Sequence, residues 1–231
     1  MLTLDKLDIW QDGFRLTADF SLQAAAVVAM IGPSGAGKST LLNVIAGFLA
    51  PQSGQVLWHG RNISDLPPAK RPVAMLFQDN NLFPHLTVAQ NVGLGIRPDL
   101  RLSSEQRARV DQALQRVGLQ GLDARKPGAL SGGQQGRVAL ARVLVQRRPL
   151  ILLDEPFAAL GPALKTEMLD LVAELAAETG ATLLMVSHDP SDARRIAPFT
   201  VLVADGQAFA PRPTDDLLDN PPPVLAAYLG G

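Results

Sequence analysis

Apolar side chains recur at Leu2, Leu4 and Leu7, and again at Leu16, Ala18 and Phe20, with polar residues between them. Successive side chains leave a pleated strand on opposite faces, so this alternation predicts half-buried strands and an antiparallel β layer. The pattern then changes. AAAVVAMI, ending before Gly32, is continuously apolar, as suits a short strand covered on both faces of a parallel sheet. After a glycine-rich stretch, STLLNVIAGFL predicts a helix that stops near Gly47, and GQVLWHG and RPVAMLF are strand candidates.

From about Thr87 to Leu130 the chain becomes helix and loop. In SSEQRARVDQALQRVG, Ser103 and Gln106 have capping-box spacing and Gly118 supplies a stop. LILLD resumes the strand pattern. A helix is predicted from Pro162, in the favoured first turn, to about Thr179, with Gly180 ending it. ATLLMVSH and TVLVADG are further strands, and Pro221, Pro222 and Pro223 make a rigid break before a short apolar end. The expectation is one α/β domain over 1–231. Residues 1–86 and 145–231 form a mostly parallel core with the N-terminal antiparallel layer, and 87–144 are an inserted helical subdomain.

Composition narrows the function classes. A net charge of −1 with scattered Lys and Arg gives no footprint for nucleic acid, which is not expected as a partner. Zero cysteines remove disulfides and thiolate metal sites, and fit a reducing compartment. MLTLDKLDIW lacks the layout of a secretory signal, and the apolar run at Ala24 to Ile31 is too short to cross a bilayer, so a cytoplasmic protein is expected.

The chemistry concentrates in GPSGAGKST, Gly32 to Thr40. Two glycines five apart followed by Lys and Ser, between a buried strand and a helix, satisfy the P-loop pattern of NTPases. Its backbone N–H groups and the helix N-terminus face phosphate oxygens, Lys38 reaches the β and γ phosphates, and the Ser39 hydroxyl ligates Mg²⁺. The nucleotide contacts expected here come from Gly32, Pro33, Ser34, Gly35, Ala36, Gly37, Lys38, Ser39 and Thr40. In ILLDEP, Asp154 is placed to hold Mg²⁺ and Glu155 to act as general base on water. Gln78 and His188 follow strands of the same predicted sheet, so both emerge at its ligand edge: Gln78 toward Mg²⁺ and water, His188 toward the γ-phosphate. His59 and His85 are read as exposed residues without such a role.

GPSGAGKST, Gln78, LSGGQ, LILLDEP and His188, in that order across nearly the whole chain, resemble the ATP-binding subunit of ABC transporters. P-loops are widespread, whereas LSGGQ just upstream of LILLDEP is specific. The resemblance implies ATP and Mg²⁺ as cofactors. It implies a head-to-tail dimer in which Ser131, Gly132, Gly133 and Gln134 of one copy meet the ATP on the other's P-loop. It also implies an adenine-stacking aromatic near the N-terminus, assigned to Trp10 with Phe14 as second choice.

MLFQDNNLFPHLTVAQNVGLG, DEPFAALGPALKTEMLDLV and LLMVSHDPSDARRIA are similar, more narrowly, to the ATPase of bacterial thiamine importers. That implies a membrane permease and, indirectly, a periplasmic solute-binding protein as partners, at the cytoplasmic face of the inner membrane. Asp79 to His85 would line the permease groove, with Leu82, Phe83 and Pro84 as its floor. Importers of other solutes and non-transport ABC ATPases of repair or translation remain the alternatives. Three positions depart from the family pattern. Ala25 and Ala26 replace Gly-Glu, Gly136 replaces a long polar residue inside a helix, and Gly161 replaces an aspartate tied to communication between the two active sites.

Overall fold

Strand β1 (Leu2–Gln11) pairs antiparallel with β2 (Phe14–Leu22) and with β4 (Ser53–Trp58), which pairs with β5 (Arg61–Asn62). The computed structural model describes every residue except Asp12, Asn80, Ala159 and Gly231. Between β2 and β4 lie β3 (Val27–Ile31) and α1 (Lys38–Ala46), and after β5 comes β6 (Val73–Leu76). The next stretch is helical: α2 (Val88–Gly93), α3 (Ser104–Arg116) and α4 (Gly132–Leu144). The sheet resumes with β7 (Leu150–Asp154), α5 (Pro162–Thr179), β8 (Thr182–Val186), α6 (Pro190–Ile196) and β9 (Phe199–Ala204). The chain closes with β10 (Gln207–Ala208), β11 (Arg212–Pro213), α7 (Thr214–Asp219) and α8 (Pro223–Leu229).

The strand order β5-β4-β1-β2-β10-β9-β3-β8-β7-β6 fuses two sheets of different kind. β9, β3, β8, β7 and β6 run parallel, and β10 joins them to the antiparallel layer by pairing with both β9 and β2. Alternation within the parallel strands divides the interior. Leu150 and Leu152 of β7 face a core shared with α1 and the antiparallel layer, while Ile151 and Leu153 face a second core under the helices. Each fully buried Leu contributes about 1.5–3 kcal/mol, and a one-residue slip would turn each set into the core packed for the other.

Local signals set the helix ends. Ser103 and Gln106 form a capping box on α3, Gly47 and Gly180 take left-handed conformations after α1 and α5, and Pro162 opens α5. The C-terminus of α1 has a partner that the helix pattern does not reveal. The buried Arg71 guanidinium donates to the Val44 and Ile45 carbonyls at 2.7 and 2.9 Å. At the turn before β3, Ala25 has a φ of 57°, in the left-handed region that favours the glycine expected there.

Candidate active site

Parallel strands deliver their C-terminal ends to one edge, and the P-loop runs from the end of β3 into α1. Gly32 has a φ of 149°, and a methyl group there would collide with the Val203 carbonyl oxygen. Gly37, with a φ of 98°, caps α1 without a side-chain hydrogen bond. The first-turn N–H groups of the helix therefore stay available to an anion. Lys38 is 5% exposed, and its ammonium donates to the Gly32 and Pro33 carbonyls at 2.8 Å each. Burial lowers its pKa, with Glu155 and Asp154 opposing. The loop bounds one side of a cavity of ≈ 460 Å³, with Ser34, Lys38, Ser39, Thr40, Glu155 and His188 on its wall.

The Ser39 hydroxyl on the cavity wall donates to Asp154 Oδ1, behind that wall, at 2.9 Å. Asp154 is 8% exposed, and burial raises its pKa against the hydrogen bond from Ser39. One carboxylate and one hydroxyl beside a phosphate cradle fit Mg²⁺, which keeps water and substrate phosphates as its remaining ligands. Among the described residues no cluster of three or more His, Cys, Asp or Glu forms a self-sufficient metal cage.

Glu155 has a φ of 47°, a conformation that costs a non-glycine residue about 1–3 kcal/mol. Its carboxylate pairs with His188 Nε2, joining the ends of β7 and β8. The segment after β8 is further held from α5. Lys165 bridges Asp189 and Asp192 at 2.8 and 2.7 Å, and the Ser187 hydroxyl donates to Asp192. Hydrogen bonds from Lys165 and then Ser191 pull the Asp189 carboxyl down to about 2. The Tyr228 hydroxyl of α8 donates to the His188 carbonyl at 2.9 Å. Lys165, Asp189 and Tyr228 escaped the sequence reading because their partners are distant in the chain.

Trp10 and Gln78 are not on the wall of this cavity. Trp10 pairs with Arg15 across β1 and β2, whereas Gln11 pairs with Phe14 and Ile9 with Leu16. Strand alternation therefore puts Trp10 on the outer face, 53% exposed under the Arg15 guanidinium, opposite the buried Ile9 and Leu16. Phe14 and Gln11 are the N-terminal residues on the cavity wall, and a methyl group on Gly37 would come 2.7 Å from the Phe14 ring. Gln78 is exposed and is absent from that wall. It follows β6, three strand spacings or about 14 Å from β3.

LSGGQ also lies apart from the P-loop cavity. Ser131 caps α4, accepting from the Gln134 N–H at 3.3 Å, while its own N–H donates to the Gln134 side chain at 3.0 Å. Ser131 and Gly132 are exposed, and Gly133 is buried where a methyl group would collide with Leu164. A methyl group on Gly132 meets nothing within 4 Å.

The stretch near Asn81 forms a separate open groove of ≈ 560 Å³, lined by Met75, Phe77, Leu82, Phe83, Arg142 and Gln146. Asn91 ties both the N–H and the carbonyl of Phe83, leaving that ring 46% exposed. Pro84 is not on the groove wall, contrary to expectation. His59 accompanies the N-terminal amine at 3.2 Å, and His85 stacks edge-on with Phe83.

Known proteins resemble this chain in sequence and fold. The family described as ABC transporter matches residues 17–158. Proteins named thiamine import ATP-binding protein ThiQ from Cereibacter sphaeroides and from Ruegeria sp. are each 64% identical over 230 residues, covering 100% of both chains. Two solved ATP-binding cassettes superpose closely. One, dimeric and bound to ADP and Pi, has a TM-score of 0.81 and 30% identity over 93% of this chain and 99% of its own. The other, in an ADP conformation, has a TM-score of 0.89 and 27% identity over 100% and 99%. The chain belongs to the ABC transporter family, as one of its ATP-binding cassettes.

Proposed function

We propose that this chain is the ATP-hydrolysing subunit of a bacterial importer for thiamine or its phosphates. It dimerises around two ATP and drives a membrane permease fed by a periplasmic binding protein. The observation that carries the reading is the division of phosphate-binding chemistry between two places in one chain: a P-loop cavity with Glu155 and His188, and an exposed α4 N-terminus. The substrate rests on the full-length likeness to the thiamine import proteins.

ATP phosphates entering the cradle draw the Lys38 ammonium from the Gly32 and Pro33 carbonyls, and the first-turn N–H groups of α1 bind the same oxygens. Ser39 and Asp154 would hold Mg²⁺, with Gln78 joining them only if its loop moves inward; the ion supplies charge neutralisation of the phosphates. Glu155 takes the proton of the attacking water, worth about 10²- to 10⁴-fold in rate, and His188 steadies that carboxylate and the γ-phosphate. Phe14 supplies the ring nearest an adenine in this cavity. Ser131 to Gln134 of a second copy close the site over the γ-phosphate, so hydrolysis weakens the bridge between chains. Residues 87–144 carry that half-site as a helical subdomain of the 1–231 domain.

No helix among the described residues is long and apolar enough to cross a membrane. The groove at Leu82 and Phe83 is read as the permease contact, which would hold the subunit at the cytoplasmic face of the inner membrane. Vesicles containing the reconstituted complex should accumulate labelled thiamine with ATP, and Lys38→Ala should abolish the stimulation. Uptake of another solute in its place would remove the thiamine assignment.

A further inference from the structure

The C-terminal helix reaches the catalytic edge. Leu225 of α8 is fully buried, and Val224, Tyr228 and Leu229 pack on the same core. Leu225 and Tyr228 are three residues apart on one helix face, so the buried anchor fixes where the phenol points. Its hydroxyl donates to the His188 carbonyl at 2.9 Å and stands 3.5 Å from Nδ1 of the same ring. The other ring nitrogen, Nε2, is paired with Glu155.

The neighbours of His188 are held by other elements. Lys165 secures Asp189, and Asp192 receives Ser187. Among the described residues, Tyr228 is the group that bonds the His188 main chain through a side chain. Burial, then the charges of Glu155 and Asp189, push the Tyr228 phenol above its ordinary range, so the hydroxyl keeps its proton.

We propose that Tyr228 is a positioning residue for hydrolysis: its hydroxyl fixes the backbone and ring of His188 against Glu155, making α8 part of the hydrolytic machinery. The proposal rests on the reading of Glu155 and His188 as hydrolytic groups. Tyr228→Phe keeps the packing ring and removes one hydrogen bond, so in the full chain the kcat for MgATP should fall about 3- to 10-fold. KM for ATP should stay at its wild-type value, and the thermal midpoint should fall by no more than about 6 °C, the scale of one lost hydrogen bond. In a His188→Ala background, itself impaired, adding Tyr228→Phe should change nothing further.

A Tyr228→Phe protein with wild-type kcat beside an impaired His188→Ala protein would overturn the proposal and leave the active-site reading intact. A fall in kcat that persists undiminished in the His188→Ala background, or comes with a thermal midpoint lowered by more than about 6 °C, would make Tyr228 merely structural. Wild-type hydrolysis by His188→Ala would instead remove the active-site reading and the proposal with it.

Discussion

The two glycine-rich helix starts of this chain solve the same problem in opposite ways. At the P-loop, positive φ values and close contacts with Val203 and Phe14 make Gly32 and Gly37 necessary to the chain's own packing. Its polar groups already have partners, Lys38 on carbonyls and Ser39 on Asp154. At α4 only Gly133 has such a reason, the Leu164 side chain, whereas Gly132 faces open space beside an exposed Ser131. The first is a site assembled by its own fold; the second is a helix end capped by its own side chain, with its outer surface free for another molecule.

The sharpest way to separate the two is Gly132→Asp. A carboxylate at the first position of α4 suits the helix dipole by about 0.3–1 kcal/mol, so the thermal midpoint should hold or rise. The same charge would face the phosphates of a second copy, and ATP hydrolysis should fall about 10²-fold while binding of ATP to the single chain is retained. Loss of single-chain binding, seen by nucleotide titration, would erase the distinction between the half-sites.

Phe14→Ala should weaken nucleotide affinity about 10-fold, the scale of one lost base-stacking ring, and Trp10→Ala by less than about twofold. The reverse order would restore Trp10 to the adenine site. Gly136 lies inside α4 with nothing within 4 Å of an added methyl group, and nothing in the structure explains it. Gly136→Ala should stabilise the fold by about 1 kcal/mol, raising the thermal midpoint about 2–4 °C.

Gly161 caps α5 with φ −65° and ψ 156°, a backbone an aspartate cap adopts without strain, and an added methyl group meets nothing within 4 Å. Gly161→Asp should add about 0.3 kcal/mol at the cap and raise the steady-state ATPase rate. An unchanged or lower rate would mean that this branch works without the carboxylate.

What the sequence discloses depends on how local the physics is. Apolar period, caps and glycine stops act within a few residues, and so β3, β7, α3 and α5 were readable, as was the P-loop with Asp154 and His188 at neighbouring strand ends. Trp10 was singled out by its distance from Gly32, whereas its exposed position on the face opposite Ile9 follows from β1 alternation. Gln78 was placed at the right edge of the sheet, yet strand order, set by tertiary pairing, puts β6 three strands from β3. Arg71, Lys165 and Tyr228 were invisible because their partners are chosen by packing, with no periodicity to announce them.

The division of labour between the two helix starts is tested most directly by the mass of the Glu155→Gln protein in solution. Removing the general base should slow hydrolysis about 10²- to 10⁴-fold while leaving the P-loop cradle, so ATP persists between the copies. In saturating MgATP the 24.6 kDa chain should run as a dimer by light scattering, and as a monomer in MgADP. A Glu155→Gln protein that binds MgATP yet stays monomeric, under conditions where an intact family member dimerises, would contradict the assignment of Ser131 to Gln134 as the second half of the site.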